Sequence, residues 1–243
     1  MDSKIVMLLW RPGNGDSLKN ELIEVCTPQL EQVGAKKIVM NIRDDASLKV
    51  RSPAPSFHKT PDICGQVNVW LDEETDPKKC VDVVKSFGFS VAAYLVEESI
   101  YKDYGDNAHA EPRYWPDGSR SPGVSLITLM PRPRRLQRNE WVRRWFGNMS
   151  PVSESIQPRT RYVRNLVQEK ITLESPDYEG IVEEAWPSPR HVHNPFLFYG
   201  AKNPLALIIN MSRILIAVLS FLNLFKIRFV IMSEYFIKTR LVS

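Results

Sequence analysis

The chain has 243 residues, room for two units of small-domain size, and its 43% hydrophobic and 25% charged residues exclude a disordered or fibrous protein. Thirty-two basic against 28 acidic side chains leave a net charge of +4, too slight to imply nucleic acid, and the cluster Arg132, Arg134, Arg135, Arg138, Arg143, Arg144 reads as a solvated helix face. Cys26, Cys64 and Cys80 have no CxxC or metal-ligand spacing, so they are expected as reduced, packed thiols in a cytoplasmic protein.

Residues 5–10 form a compact apolar strand that ends at Arg11-Pro12-Gly13-Asn14-Gly15. Leu18, Leu22, Val25, Cys26 and Val33 then recur at helical spacing toward Gly34, with Pro28 expected to bend or interrupt the helix. A strand at 37–42 and a proline-bearing loop at 43–61 follow. Residues 63–71 are strand-like, 77–87 a helix with Cys80, Val83, Val84 and Phe87 inward, and 89–99 a strand. A polar linker, 102–123, separates this unit from a repetition of the same order. Strand 124–130 leads into a helix at 137–149 that carries Trp141, Trp145 and Met149 on one side and is expected to end at Pro151. Residues 159–169 and 178–186 read as adjacent strands, 187–204 as a second long loop and 226–238 as the last strand.

Residues 204–225 are nearly all apolar, but Arg213 would be costly at a bilayer centre, and Asn210, Arg213, Ser220 and Asn223 fall on one stripe. A deeply buried amphipathic helix is therefore expected and no membrane span, with a span as the alternative. Its apolar surface would also suit a homodimer. The doubled order of strand, helix, strand, strand, helix, strand predicts an α+β fold of two tandem ferredoxin-like units, residues 1–110 and 111–243, whose sheets pair into a barrel within one chain.

The second unit resembles the EthD family of dimeric α/β-barrel proteins. The resemblance rests on Trp141 and Trp145, on Arg161-Tyr162-Val163-Arg164-Asn165, on Tyr178-Glu179-Gly180-Ile181-Val182-Glu183-Glu184-Ala185-Trp186, and on the tail Met232-Ser233-Glu234-Tyr235. It covers about half the chain, and the first unit matches in element order and in its Arg11-Pro12-Gly13 opening. Many family members carry a histidine near the end of the first helix. Here that stretch is Gly147-Asn148-Met149-Ser150-Pro151, so a mechanism built on the histidine does not carry over. The resemblance implies a small pocket protein of oxidative or aromatic metabolism, with dehydratases, decarboxylases and cofactor-free oxygenases among its relatives.

Strand alternation sends Tyr178, Val182, Glu184 and Trp186 to one face and Glu179, Ile181, Glu183 and Ala185 to the other. At least one of Glu183 and Glu184 must face inward in a central strand. Desolvation would raise its pKa toward the range of a general acid or base, unless a salt bridge to Arg161 or Arg164 holds it. Tyr162, Arg164 and Leu166 share a face, opposite Arg161, Val163, Asn165 and Val167. Tyr162 could donate a hydrogen bond to a carbonyl or phenolate, or be an ordinary core aromatic. His191 and His193 point apart on an extended loop, so no metal is expected, and His193 is left as a proton-transfer candidate at a pocket mouth. The catalytic candidates are thus Glu183, Glu184, Tyr162 and His193, with Trp145, Asn165, Trp186 and Tyr235 shaping the site. An aromatic lining would favour a small aromatic or apolar metabolite. With no phosphate-cradling glycine loop or dinucleotide fingerprint in the sequence, no cofactor is expected. The leading expectation is a cofactor-independent lyase, dehydratase or oxygenase. The alternative is a non-catalytic carrier or accessory protein.

Overall fold

The computed structural model describes residues 3–13, 15–50 and 63–239. Its strands are β1 (Ser3–Trp10), β2 (Lys37–Ile42), β3 (Gly65–Leu71), β4 (Ser90–Lys102), β5 (Val124–Met130), β6 (Arg161–Lys170), β7 (Gly180–Trp186) and β8 (Arg228–Lys238). All neighbours are antiparallel, and the order β1-β3-β2-β8-β5-β7-β6-β4 closes on itself. Within that ring the first half contributes β4-β1-β3-β2 and the second β8-β5-β7-β6, the same relative order. The two sheets join at β2–β8 and at β4–β6, so the edges that each ferredoxin-like sheet would expose are paired with the other. The chain thus forms two tandem ferredoxin-like units closed into one barrel.

The strands carry near-continuous apolar runs because both faces are covered. Val6, Leu8, Tyr94, Ile127, Ile181 and Met232 fill one part of the barrel interior. On the outside of the first sheet, Ile5, Met7 and Leu9 meet Leu18, Leu22, Cys26, Leu30, Cys80 and Val84 from its helices. Those helices are α1 (Asp16–Asn20), a π-helical stretch Glu21–Cys26, α2 (Thr27–Gln32) and α4 (Pro77–Ser86), with the short α3 (Asp45–Leu48) after β2. All three thiols are buried. Burial pushes that of Cys26 up to about 12 and that of Cys80 up to about 11, and it raises Cys64 as well.

The second half repeats the device. α5 (Arg138–Arg144) runs into a π-helical turn, Trp145–Met149, and then α6 (Ser150–Glu154). The helix therefore does not stop at Pro151, as its sequence suggested. In both halves the π-helical stretch ends two positions before a proline, Pro28 or Pro151. The widened turn shifts the hydrogen-bond register where the proline nitrogen has no hydrogen to give. The stretch expected as a loop at 187–204 holds two short helices, α7 (Pro189–His193) and α8 (Pro195–Phe198), the latter capped by Asn194. Most of the other long loop, with His58, lies outside the described residues.

The helix α9 (Pro204–Phe221) overturns a further expectation. It is capped by Asn203 and packs on α5, α6 and the π-turn, but only Ile214, Ala217 and Phe221 are buried. The opposite face is open to solvent. Mean hydropathy of 1.9 over 18 residues makes it, among the described residues, the one helix long and apolar enough to cross a membrane. Apolar composition sets the demand for burial, and this chain covers only one side.

Candidate functional site

β6 and β7 lie side by side, with Tyr162 opposite Glu184 and Val163 opposite Glu183. The two consecutive glutamates therefore leave β7 on opposite faces. Glu184 and Tyr162 face outward, beneath the helices of the second half, and Glu183 enters the barrel.

The helical layer over that outer face is set by Trp141 and Trp145, whose rings lie 5.1 Å apart. They cross β7 at Gly180, where a Cβ would stand 2.7 Å from Trp145 and 2.9 Å from Trp141. A glycine is what lets two indoles lie on the strand. Beneath them is a cavity of about 270 Å³, walled by Leu126, Met130, Val182, Val218 and Phe221. Its polar lining is Thr128, Gln157, Arg159, Tyr162 and Glu184, and the exposed side chains Leu215, Leu224 and Phe229 mark its open side.

The polar end is tightly bonded. Arg159, 1% exposed, donates from Nη1 to Glu184 Oε1 at 2.6 Å and from Nη2 to Ser153 Oγ at 2.9 Å and to Glu154 Oε2 at 3.1 Å. Its guanidinium also sits 3.9 Å over the Tyr162 ring. Arg159 Nε is buried without a partner among the described residues. Trp145 Nε1 donates to the Tyr162 hydroxyl at 3.3 Å, and Ser150 Oγ lies 3.1 Å from it while accepting from Arg164 at 3.1 Å. Burial raises the Tyr162 phenol above its ordinary value, with the Arg159 charge opposing and the Glu184 charge adding to the shift. The phenol thus stays neutral and able to donate.

Inside the barrel, Glu183 is a different kind of group. Lys4 Nζ meets it at 3.0 Å, and Asn165, Asn68 and Asn41 donate to it at 2.8, 3.0 and 3.3 Å. Burial would raise its pKa, but the charges of Lys4 and Arg161 and the hydrogen bonds outweigh this and bring it down to about 2. The expected upward shift is reversed. Neither arginine named as its partner is the main one. Arg161 stands 3.9 Å away and pairs with Glu234 at 2.9 Å, while Arg164 serves Ser150 and Ser99.

The structure brings Glu184, Tyr162 and Trp145 together at the cavity. Glu183 and Asn165 lie in the barrel interior. Trp186 is buried behind the cavity, stacked at 4.6 Å on the lining residue Phe198. Tyr235 is remote and donates to Asp44 at 2.7 Å, and His193 is exposed on α7. Arg159, Gln157 and Ser150 were missed. A carboxylate beneath the helices calls for a cation, which is a signal for Arg159, but alternation along a strand begun at 159 puts it on the face of Arg161, whereas β6 starts only at Arg161 and leaves Arg159 free to turn toward Glu184. Among the described residues no three His, Cys, Asp or Glu side chains converge as metal ligands.

No family model matches the sequence, and no curated relative matches it. Solved structures do. An anthrone oxidase-like protein is similar over 99% of this chain and 96% of its own, with a TM-score of 0.52 at 12% identity. The chain has a dimeric-α/β-barrel-like fold formed within one polypeptide. This barrel is also similar to a candidate monooxygenase from Lactobacillus acidophilus NCFM, at 8% identity and a TM-score of 0.45 over 100% of this chain and 99% of that one. A chlorite dismutase from Candidatus Nitrospira defluvii gives 7% identity and a TM-score of 0.43 over 96% of this chain and 90% of its own. In this barrel the two sheets belong to one polypeptide, so the two halves are free to differ in their side chains.

Proposed function

We propose that this barrel is an enzyme related to the EthD proteins that takes a small aromatic or polyketide-like metabolite into the cavity of residues 111–243, while residues 1–110 complete the barrel. The observation that carries this reading is the Arg159-bound carboxylate of Glu184 at the polar end of an otherwise apolar cavity. About 270 Å³ suits one or two fused rings, larger than the ~150 Å³ that accepts benzene and below the range of drug-sized ligands.

Glu184 would take a proton from a phenol or an activated C–H. Tyr162 and the free Arg159 Nε–H would then donate to the oxygen on which negative charge develops. With Trp145 donating to the Tyr162 oxygen and Ser150 as the donor in its own 3.1 Å contact with that oxygen, the phenolic hydrogen would be available to a ligand. Deprotonation is the step that opens both dehydration and the reaction of a substrate carbanion with dioxygen, so one arrangement serves the lyase and the oxygenase forms of the reading. The similarity to an anthrone oxidase-like protein supports the oxygenase form. The alternative, a carrier or accessory protein, is supported by the same ion pair, since a carboxylate fixed by a buried arginine can be purely structural.

The two readings separate in one experiment. Calorimetric titration with 1-naphthol reports occupancy, and a panel of one- to three-ring phenols and anthrones reports turnover. Glu184→Gln is expected to abolish turnover while leaving 1-naphthol affinity nearly intact. Turnover that survives the substitution removes the catalytic role, and binding without turnover in the parent protein leaves the carrier.

A further inference from the structure

We propose that the exposed face of α9 is the docking surface for a second copy of this chain, joined antiparallel across a two-fold axis at Ser212. Leu205, Ile208, Ile209, Leu215, Ile216 and Leu219 are each 48 to 70% exposed. At 3.6 residues per turn they all fall within about 60° of Ser212 around the helix, on the side opposite the buried Ile214, Ala217 and Phe221. Beside this stripe stand Pro204 and Met211 on one shoulder and Ser220 and Arg213 on the other. Arg213 reaches back toward Ser155 at 3.5 Å, so no charge lies in the stripe.

The stripe is symmetric about its centre. Seven positions on either side of Ser212 stand Leu205 and Leu219, four on either side Ile208 and Ile216, and three on either side Ile209 and Leu215. Turned end for end about Ser212, the face therefore meets its own copy with leucine on leucine and branched aliphatic on branched aliphatic. That self-complementarity is the condition for an isologous contact. The spacing is also a heptad, with 205, 212 and 219 in one position and a small residue at the crossing, where two helix axes approach to about 8–10 Å.

Size points the same way. The six side chains expose on the order of 600–700 Å², more than the ~300–600 Å² typical of the largest apolar patch on a monomer. With Met211 and the flanking surface this approaches the ~800 Å² that each partner supplies to a stable interface. Leu215 also lines the cavity, so the second copy would cover part of its open side.

Sedimentation equilibrium of the full chain at micromolar concentration is expected to give twice the 28.0 kDa of one chain. Ile208→Glu and Ile216→Glu, both at exposed positions outside the cavity, should each return the mass of one chain with an unchanged circular dichroism spectrum. Ser212→Cys under a mild oxidant should link to its own copy, and Leu205→Cys should not, because position 205 faces 219. The native thiols are buried and give little background. A one-chain mass at every concentration, a dimer that survives Ile216→Glu, or linkage at 205 without linkage at 212 would overturn the proposal. So would a monomer that floats with phosphatidylcholine/phosphatidylglycerol vesicles and loses this with Ile216→Glu, which would make the face a lipid contact.

Discussion

Lys4 and Glu183 are 179 positions apart in the chain, and their charged atoms lie 3.0 Å apart in the barrel interior, each side chain 2% exposed. The contact ties the first strand of one half to the third strand of the other. Lys4 also reaches Glu98 at 2.8 Å, so one ammonium from β1 is shared between carboxylates on β7 and β4, with Arg161 3.9 Å from Glu183 adding a second positive charge. A buried charge is tolerated only when paired and hydrogen-bonded, and here the closed sheet itself supplies the partners.

Lys4→Met should cost about 3–5 kcal/mol of stability, because it leaves Glu183 charged, buried and short of its nearest cation. The double variant with Glu183→Gln should recover part of that loss. Urea unfolding of the three variants measures both effects. Equal stability of Lys4→Met and the parent would mean that Arg161 and the three asparagines suffice alone.

Acid should unfold the protein through the same group. The folded-state pKa of Glu183, about 2, lies below the ordinary 4.5, so its contribution is complete above about 4.5 and is lost as pH falls from there toward 2. Glu98, held below its usual range by Lys4 against the effect of burial, acts in the same direction. Thermal midpoints should hold between pH 6 and about 4.5 and then fall toward pH 3, and that fall should be shallower in Glu183→Gln.

Gly180→Ala should destabilise the second half by about 1–3 kcal/mol, since a methyl there would overlap both Trp141 and Trp145. The displaced Trp145 forms a cavity wall, so 1-naphthol affinity should fall along with the melting temperature.

Val218→Trp should narrow the cavity from the α9 side. An affinity for 1-naphthol at least roughly tenfold weaker, about 1.4 kcal/mol, is expected, with little change in stability. Unchanged affinity would place the ligand elsewhere.

The three thiols should resist a disulfide reagent at pH 8 in the folded protein and react together on unfolding. Burial holds Cys26 near 12 and Cys80 near 11, so almost no thiolate is present.

Strand parity was legible in the sequence because a pleated strand alternates by geometry alone. The separation of Tyr162 and Glu184 from Val163 and Glu183 needed no knowledge of what lay on either side. The doubled element order was legible for a similar reason, as hydrophobic period and turn residues act locally. The continuation of the helix through Pro151 was not, since a proline rule assumes α-helical bonding and the π-turn removes that assumption.

The sequence by itself determined two ferredoxin-like repeats, their strands and which residues share a face, because these follow from short-range periods. Only the tertiary structure decided that Glu183 belongs to Lys4 and Glu184 to Arg159, and that α9 buries one side and exposes the other. Partner choice depends on which strands close the ring and which surface the helices reach. Coulomb and burial energies are set by distances between residues far apart in the chain, and no local pattern records those distances.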